Sequence, residues 1–310
     1  MPCFSNFVCQ VSARAIRGSR YTMEDEYYVG NGGRLAAVFD GHGGSGVSRY
    51  LKNHLHDVWT ESLLEKHWEE RDEDQQQQAN LGNDKSVTLA QQQTPLLQRP
   101  SVSCHVAALR ATFNELENAI LKDDDLEYQG STAVAVVVHE GEDGSRTLLS
   151  ANIGDSRAVL SRGRRAIDLT RDHKPNDEKE KARIMAMGET IEWDQDSKVH
   201  RVRNLSLARA IGDRYAKPAV SSEVEIQHFP VNEEEDEFVV LASDGLWDVM
   251  SSQAVVTCVH DYMDAELSKT SKENAESYKF VLRRNISKLL AREAMRKGSA
   301  DNISVLVIWL

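Results

Sequence analysis

The sequence lacks a long apolar run. Of its 310 residues 40% are hydrophobic, yet its longest uninterrupted apolar stretches, such as residues 133–138, have only the length of a β-strand. A helix that crosses a membrane needs about 20 consecutive apolar residues. The sequence therefore predicts no membrane association, and the start of the chain shows no apolar leader of the secretory type.

Cysteine is also scarce, and it is scattered. The four cysteines are Cys3, Cys9, Cys104 and Cys258, with no CxxC pair among them. Zinc ribbons use closely spaced cysteine pairs and small secreted domains use dense disulfides, so neither class is expected. The pattern favours a reducing compartment, and we expect the protein in the cytoplasm, the nucleus or both.

Positive charge is in the minority. The chain has 37 lysines and arginines against 49 acids, for a formal net charge of −12. Binding to nucleic acid needs a basic surface, so a nucleic-acid partner is not expected. The excess of acids fits either a solvated surface or a cation site, and composition alone does not separate the two. Patterns of the P-loop, HExxH and GxSxG types are absent, which leaves those chemistries without support.

Several acids stand where an apolar strand-like run begins or ends. A single Asp-Gly after a strand is usually only a turn. If the strand ends converge, however, unpaired carboxylates repel one another, and a hard divalent cation that prefers oxygen ligands, Mg²⁺ or Mn²⁺, would relieve that repulsion. The acids in such positions are Glu24, Asp25, Asp40, Asp155, Asp244 and Asp301.

The stretch VFDGHGG, residues 38–44, places Asp40 and His42 among three glycines. Glycine gives up packing and conformational restriction, so we expect something to approach this backbone closely. A glycine at position 41 would let its own carbonyl reach a metal, and the bare loop would admit metal and substrate. Taken alone, His42 is an ordinary loop histidine.

The distribution of elements indicates an α+β fold. Because strands and helices form clusters instead of alternating strictly, a mainly antiparallel layered domain is favoured. The three acids at 123–125 are interpreted as a solvated helix end. Strand patterns occur within 7–40, 131–161, 238–242 and 303–309, and helical periodicity within 45–68, 106–121, 177–187, 252–265 and 274–297.

The composition changes between about residues 69 and 102. Glutamine runs at 75–78 and 91–93 stand there with few aromatic residues. Such biased segments rarely bury enough apolar surface to order the chain, so we predict a flexible, disordered insertion. A segment that docks a partner is the alternative.

Eight motifs carry a resemblance to a known family. They are RYTMED at 20–25, VFDGHGG at 38–44, GSTA at 130–133, NIGDSR at 152–157, DHKP at 172–175, SLARAIGD at 206–213, ASDGLWD at 242–248 and GSADNIS at 298–304. With this set the chain resembles the metal-dependent serine/threonine protein phosphatases of type 2C. The stretches IEW at 191–193 and GDRYAKP at 212–218 resemble plant-type members most. The resemblance runs from about residue 12 to the last residue. It implies a single phosphatase domain over 1–310, folded as a four-layer α/β/β/α sandwich with two central, mainly antiparallel β-sheets.

The resemblance implies two core metal ions, Mg²⁺ or Mn²⁺. Asp40 would bridge both ions. Glu24 and the carbonyl of Gly41 would hold one ion, and Asp244 and Asp301 would hold the other. The family's reaction is attack of the metal-bridging hydroxide on a phosphoserine or phosphothreonine monoester.

The resemblance also implies supporting roles. Asp155 and Asp248 are similar to the ligands of a weaker third ion, and Asp25 would orient water ligands. Arg20 would clamp the phosphate, since a planar guanidinium suits an oxyanion. His42 would protonate the leaving alkoxide as general acid.

Residues 173–222 correspond to the variable flap that borders the cleft in this family. In hormone-regulated plant members a tryptophan of this segment contacts a receptor. For Trp193 a buried or packing role is favoured over that contact. For Asn302 a structural role at a turn is favoured over holding a metal-bound water. Gly188 stands alone where the family often has two glycines.

Three functions remain open from the sequence. The first is an active phosphatase on phosphoproteins, expected as a monomer. The second is a catalytically weak regulatory or binding member of the same fold, and the third is a phosphatase for small metabolites. The presence of every metal acid favours the first.

Overall fold

Two five-stranded sheets form the centre of the computed structural model, which describes residues 7–81, 99–271 and 274–310. The first sheet has the order β1 (Gln10–Ile16), β15 (Ile303–Trp309), β14 (Asp236–Ala242), β8 (Arg157–Arg162), β9 (Arg165–Asp168). The second has the order β13 (Glu225–Pro230), β7 (Arg146–Ile153), β6 (Ala133–Glu140), β3 (Leu35–Phe39), β2 (Glu26–Gly30). Every neighbouring pair in both sheets is antiparallel.

Side-chain alternation along β3 shows how the layers pack. Ala36 and Val38 lie in the core between the two sheets, while Leu35, Ala37 and Phe39 lie in the core under the helices. Successive side chains of a strand point to opposite faces. Because both faces of β3 are covered, the strand appears in the sequence as an uninterrupted apolar run.

Helices cover the outer face of each sheet. On the second sheet lie α1 (Gly46–Leu81) and α2 (Val102–Ile120). On the first lie α4 (Asp244–Trp247), α5 (Ser252–Leu267), α6 (Ala275–Arg283) and α7 (Ile286–Arg296). The predicted four-layer α/β/β/α sandwich is confirmed. Within the part of the chain that is described, no helix combines the length and the apolar character needed to cross a bilayer.

Helix α1 is longer than predicted. The sequence pattern ended it near residue 68, but it continues to Leu81, so the start of the predicted insertion at 69 is wrong. Residues 69–81 contain no glycine or proline and are rich in Glu and Gln, which have high helix propensity. The second glutamine run, 91–93, and the rest of 82–98 lie outside the described residues.

The last predicted helix, 274–297, is two helices that meet at Arg284 and Asn285. The buried hydroxyl of Ser12, on β1, donates to the Arg284 carbonyl (2.9 Å) and accepts from the Ser287 amide (3.1 Å). The Ser12 side chain thus supplies hydrogen-bond partners for a backbone carbonyl at the end of α6 and a backbone amide at the start of α7. This tertiary contact cannot be read from helical periodicity.

Residues 173–222 form a small layer of their own above one end of the sandwich. They contain α3 (Glu178–Ala186) and the hairpin of β10 (Glu192–Asp194) and β11 (Val199–Arg201). Ile184, Leu207 and Val220 belong to a separate small apolar cluster whose members all come from this segment.

Candidate metal centre

A cavity of about 230 Å³ opens at the end of the sandwich where the acid-bearing strands end. Asp40 directly follows β3, Asp244 follows β14 by two residues, and Asp301 precedes β15. The lining residues are Arg20, Thr22, Glu24, Asp40, Gly41, His42, Gly43, Thr132, Asp155, Arg201, Leu205, Ser206, Leu207, Asp244, Asp301 and Asn302. The strand ends therefore converge, as the sequence pattern predicted, and the carboxylates share one space.

Asp25 and Asp40 are buried close together, so it is unfavourable for both carboxyl groups to be ionised. Burial raises the pKa of Asp25 to about 6, although a hydrogen bond from the Ser243 hydroxyl (2.8 Å) opposes the shift. Burial and repulsion from Asp25 and Asp244 raise the pKa of Asp40 well above its ordinary value. In the absence of a cation these acids therefore resist ionisation.

Asp155, Asp244 and Lys174 form a second cluster of charged side chains close to Asp25 and Asp40. Burial, followed by repulsion from Asp155 and Asp248, raises the pKa of Asp244 well above its ordinary value. The ammonium of Lys174 forms an ion pair with Asp155. Burial lowers the pKa of Lys174, but attraction to Asp155 and Asp244 outweighs this, and the net shift is upward.

Asp248 lies one helical turn from Asp244 in the same neighbourhood. Its amide donates to the Asp244 carbonyl (2.8 Å). Burial and the nearby Asp155 raise the pKa of the Asp248 carboxyl, while Lys174 opposes the shift. The structure brings Asp155 and Asp248, the two acids of the predicted third site, together with Asp244. It adds Lys174, a residue of the DHKP motif to which sequence reasoning assigned no role.

The donor set fits a hard divalent cation. Oδ1 of Asp25 is buried and has no hydrogen-bond partner among the described residues. Several carboxylates raise one another's pKa, and at Asp244 the Lys174 ammonium offsets only part of that effect. Buried polar atoms without partners are costly, and oxygen donors around such a cluster are the ligands that Mg²⁺ and Mn²⁺ prefer.

The glycines of the VFDGHGG loop are required by the chain itself. A Cβ on Gly41 would lie 2.5 Å from the Glu24 carbonyl oxygen and 2.8 Å from the Ser48 hydroxyl. At Gly43, where φ is +70°, a side chain would meet the Tyr128 carbonyl. The expectation that the loop is bare only to admit metal and substrate is therefore incomplete, because neighbouring backbone already fills much of that space.

His42 is paired with an acid that sequence reasoning did not assign. Its Nε2 lies 2.7 Å from Oδ2 of Asp213, whose side chain is fully buried. The pair meets in a small sheet of β12 (Ile211–Gly212), β5 (Gly130–Ser131) and β4 (Gly41–His42). Asp213 has left-handed backbone, with φ 50° and ψ 47°. Asp213 ends the SLARAIGD motif at 206–213, and its place in that motif is the sequence signal that could have indicated it.

Arg20 lies at the mouth of the cavity. Its Nη2 is 2.6 Å from Oδ2 of Asp301, and 61% of the arginine side chain is exposed. The predicted clamp and a predicted metal ligand are thus neighbours. The role of Arg20 toward phosphate stays a prediction, as do the metal roles of the acids.

Asn302 holds the Glu24 segment in place. Its Oδ1 accepts from the Glu24 amide (2.7 Å), and its Nδ2 donates to the carbonyls of Arg17 (2.8 Å) and Thr22 (2.9 Å). The structural role predicted for Asn302 is confirmed. Thr22 in turn donates to Oε1 of Glu24 (2.8 Å), so the backbone and the carboxylate of Glu24 are both oriented.

For Trp193 a buried or packing role was favoured, and of these two the buried one is wrong. It lies on the β10–β11 hairpin with 49% of its surface exposed. Its ring packs edge-on with the ring of His200, with 4.8 Å between the ring centroids. A two-stranded hairpin above the sandwich offers too little covering chain to enclose an indole.

Two antiparallel sheets between helical layers, with carboxylates gathered where the strands end, define a class of metal-binding α/β/β/α sandwich proteins. Within that class the family is specific. The family model described as Protein phosphatase 2C matches residues 10–303. The chain belongs to the protein phosphatase 2C family.

Relatives and solved structures agree with this assignment. Protein phosphatase 2C 16 of Arabidopsis thaliana is 35% identical over 293 residues, which are 90% of this chain and 52% of the relative. The chain thus spans about half of that relative's length. The serine-threonine phosphatase 2C structure from Toxoplasma gondii has a TM-score of 0.70 at 22% identity, covering 100% of this chain and 97% of that one.

A third comparison concerns a metal-bound structure. The catalytic domain of PstP, a serine threonine protein phosphatase known from Mycobacterium tuberculosis, was solved in complex with 2 manganese ions. It has a TM-score of 0.54 at 20% identity, covering 97% of this chain and 98% of that one. At these identities the solved structures support the shared fold.

Proposed function

We propose that the protein is a metal-dependent protein serine/threonine phosphatase that hydrolyses phosphoserine and phosphothreonine monoesters. The observation that carries the proposal is the convergence of Glu24, Asp40, Asp244 and Asp301 on one cavity. Membership of the protein phosphatase 2C family supports the same reaction. Every acid that the reaction needs is present, which argues against a catalytically weak member.

Glu24, Asp40 and the carbonyl of Gly41 would hold one ion, and Asp40, Asp244 and Asp301 would hold the other. When bound, Mg²⁺ or Mn²⁺ supplies an activated water and neutralises charge on the phosphate oxygens. The manganese ions in the PstP structure support Mn²⁺ as one usable metal. A weaker third ion would need Asp155 and Asp248, and Lys174 would have to give up its ion pair with Asp155.

His42 would deliver the proton that the leaving alkoxide needs. Because Nε2 is paired with Asp213, Nδ1 is the nitrogen left to face a substrate. The buried Asp213 carboxylate fixes the ring orientation, as the third member of a catalytic group often does. The imidazole would act as general acid, and solvent would reprotonate it between turnovers.

Arg20 would bind the phosphate through donors that Asp301 leaves free. A guanidinium carries five N–H groups in a planar fork, and one of them is engaged by Asp301. The exposure of Arg20 at the mouth suits a phosphorylated side chain on a protein surface. A pocket specific for a small metabolite would need side chains that enclose the metabolite on that side.

We further propose the partners, the oligomeric state and the location of the protein. Its partners are phosphoprotein substrates, and a regulatory protein contacts 173–222 through the exposed Trp193. The protein acts as a monomer with one catalytic domain. A cytoplasmic or nuclear location is supported by the free thiols of Cys9, Cys104 and Cys258, because reducing compartments keep thiols unpaired.

The test is phosphate release from a phosphothreonine peptide after chelation of metals. We expect no turnover with chelator, recovery with Mn²⁺ or Mg²⁺, and loss of at least about 10³-fold in Asp40→Asn, the scale expected when a metal's catalytic contribution is removed. A matched control is Asp143→Asn, since Asp143 is exposed in a turn away from the cavity. Full turnover in chelator, or preference for a sugar phosphate over the peptide, would reject the proposal.

A further inference from the structure

A cluster of three potential metal ligands joins helices α1 and α2, away from the catalytic cavity. His67 and Glu70 lie on α1 three residues apart, which places them on one face of the helix. Cys104 lies in the first turn of α2. One ligand atom from each of the three residues lies within 4.8 Å of the other two. No other group of three or more His, Cys, Asp or Glu residues in the described ranges meets that distance.

The state of His67 is an independent indication of a ligand. Only 6% of its surface is exposed, and neither Nδ1 nor Nε2 has a hydrogen-bond partner among the described residues. A buried imidazole has one donor and one acceptor to satisfy, and leaving them unpaired is costly. A metal ion bound to one ring nitrogen would replace a missing partner.

Ser101 orients the other two residues of the cluster. Its hydroxyl donates to Oε1 of Glu70 (2.5 Å) and accepts from the amide of Cys104 (3.0 Å). The second oxygen of Glu70 stays available. Hydrogen-bonded neighbours of this kind commonly fix the ligands of a metal site. The Cys104 thiol makes only a long contact to the Leu63 carbonyl, at 3.8 Å.

We propose that His67, Glu70 and Cys104 bind Zn²⁺ and that the ion fastens α1 to α2. Nitrogen, oxygen and thiolate sulfur are all zinc ligands, and a water would complete four-coordination. Tetrahedral Zn²⁺ with bonds of about 2.0–2.3 Å needs ligand atoms roughly 3.3–3.8 Å apart, so no pair of ligand atoms has to close in by more than about 1.5 Å. On binding, the Cys104 S–H bond breaks, its proton passes to solvent and sulfur forms the Zn–S bond. The charges of the carboxylate and the thiolate balance that of the ion.

This site differs in chemistry from the cavity at the strand ends. The catalytic acids supply oxygen only, whereas the α1–α2 cluster supplies a soft sulfur and an imidazole nitrogen. Mg²⁺ prefers the former set and Zn²⁺ the latter. The two sites are therefore separable by saturating the catalytic centre with Mg²⁺ before a second metal is added.

The test uses Co²⁺ and Zn²⁺ as probes on the full chain in excess Mg²⁺. A cobalt–thiolate bond gives a near-ultraviolet charge-transfer band that oxygen ligands do not give. We expect that band to saturate at a single Co²⁺ per chain, to bleach on addition of Zn²⁺ and to be lost in Cys104→Ser. Cys258→Ser is the matched control, because Cys258 is a half-buried thiol outside the cluster, and it should keep the band.

Glu70→Gln is a second variant, which still tests the proposal if Cys104→Ser does not fold. Glutamine keeps the size and the acceptor that Ser101 uses, so the helix pair should fold as before. Zn²⁺ affinity, measured by competition with a chromophoric chelator, should fall about 10-fold or more, while turnover of a phosphopeptide in Mg²⁺ stays unchanged. A wild-type protein without the cobalt–thiolate band would overturn the proposal, as would a band that persists in Cys104→Ser or a Zn²⁺ affinity that Glu70→Gln leaves unaltered.

Discussion

At the residue scale, the proposed role of His42 is to donate a proton through the ring nitrogen that Asp213 leaves free. A serine or threonine alkoxide is a poor leaving group and needs a proton, whereas nitrophenolate leaves without one. We therefore expect His42→Ala to lose roughly 10²–10⁴-fold in kcat on a phosphothreonine peptide, the usual range for general acid catalysis, and far less on an aryl phosphate. Single-turnover kinetics at saturating Mn²⁺ on both substrates make the comparison.

Asp213→Asn is the companion variant. Asparagine tolerates the left-handed backbone of this position and keeps its shape, so the fold should persist. Its rate should fall with the same dependence on the leaving group, but by less than in His42→Ala, because the imidazole remains and only its orientation is loosened. If both variants lost the same factor on the peptide and on the aryl phosphate, His42 would be holding the loop or the metals instead of delivering a proton.

At the element scale, the connection between α1 and α2 carries no residue of the proposed site. Replacing 82–98 by a glycine–serine linker of equal length should leave kcat/KM on an aryl phosphate within about 2-fold, since the new linker closes the same span and closure entropy changes only slowly with loop length. Residues 69–81 are kept because they are helical. A folded variant that lost most of its rate would show that this connection reaches the catalytic cavity.

The elements also show what could be predicted from the sequence. Strands β3, β14 and β15 were recognisable because buried strands have dense apolar runs, and their flanking acids followed from position alone. The break at Arg284 and Asn285 was not recognisable, since it depends on a serine from the other end of the chain. The length of α1 was missed because its second half has no apolar face to mark it.

The candidate site, like the fold, was predictable from the sequence only in part. Asp40, Asp244 and Asp301 follow from strand ends that converge in an antiparallel sandwich. Asp213 and Lys174 did not, because each acts through a partner distant in sequence, His42 and Asp155. The exposure of Trp193 could not be read from its apolar character, since it depends on how little chain covers the hairpin.

At the scale of the whole molecule, the acids of the cavity destabilise the metal-free protein near neutral pH. A carboxyl whose pKa is raised on folding stabilises the protein below its unfolded value, about 4, and that contribution is lost as the pH rises through the folded value. For Asp25 the folded value is about 6. The loss therefore occurs between about pH 4 and pH 6, and the raised pKa values of Asp40 and Asp244 extend it upward.

A divalent cation that binds the ionised acids should reverse this loss. We expect the gain in Tm from saturating Mn²⁺, relative to chelator, to be several degrees larger at pH 7.5 than at pH 5, because ligand binding to the native state stabilises it by mass action. Differential scanning fluorimetry of the wild type at both pH values measures the gain, with Asp40→Asn as the control that should show little. A larger gain at pH 5 would contradict the assignment of these acids to the metal.

The double burial of β3 has a consequence for how the protein opens. Amides at the centre of a sheet exchange with solvent only through the largest unfolding events, whereas exposed hairpins open locally with little free energy. Asp40 is attached directly to β3, and Trp193 lies on the β10–β11 hairpin over the same cavity. Deuterium should therefore enter the hairpin long before it enters β3. Asp40, the proposed metal ligand, is thus joined to the part of the chain that we expect to open last, and the hairpin should open many times while that part stays folded.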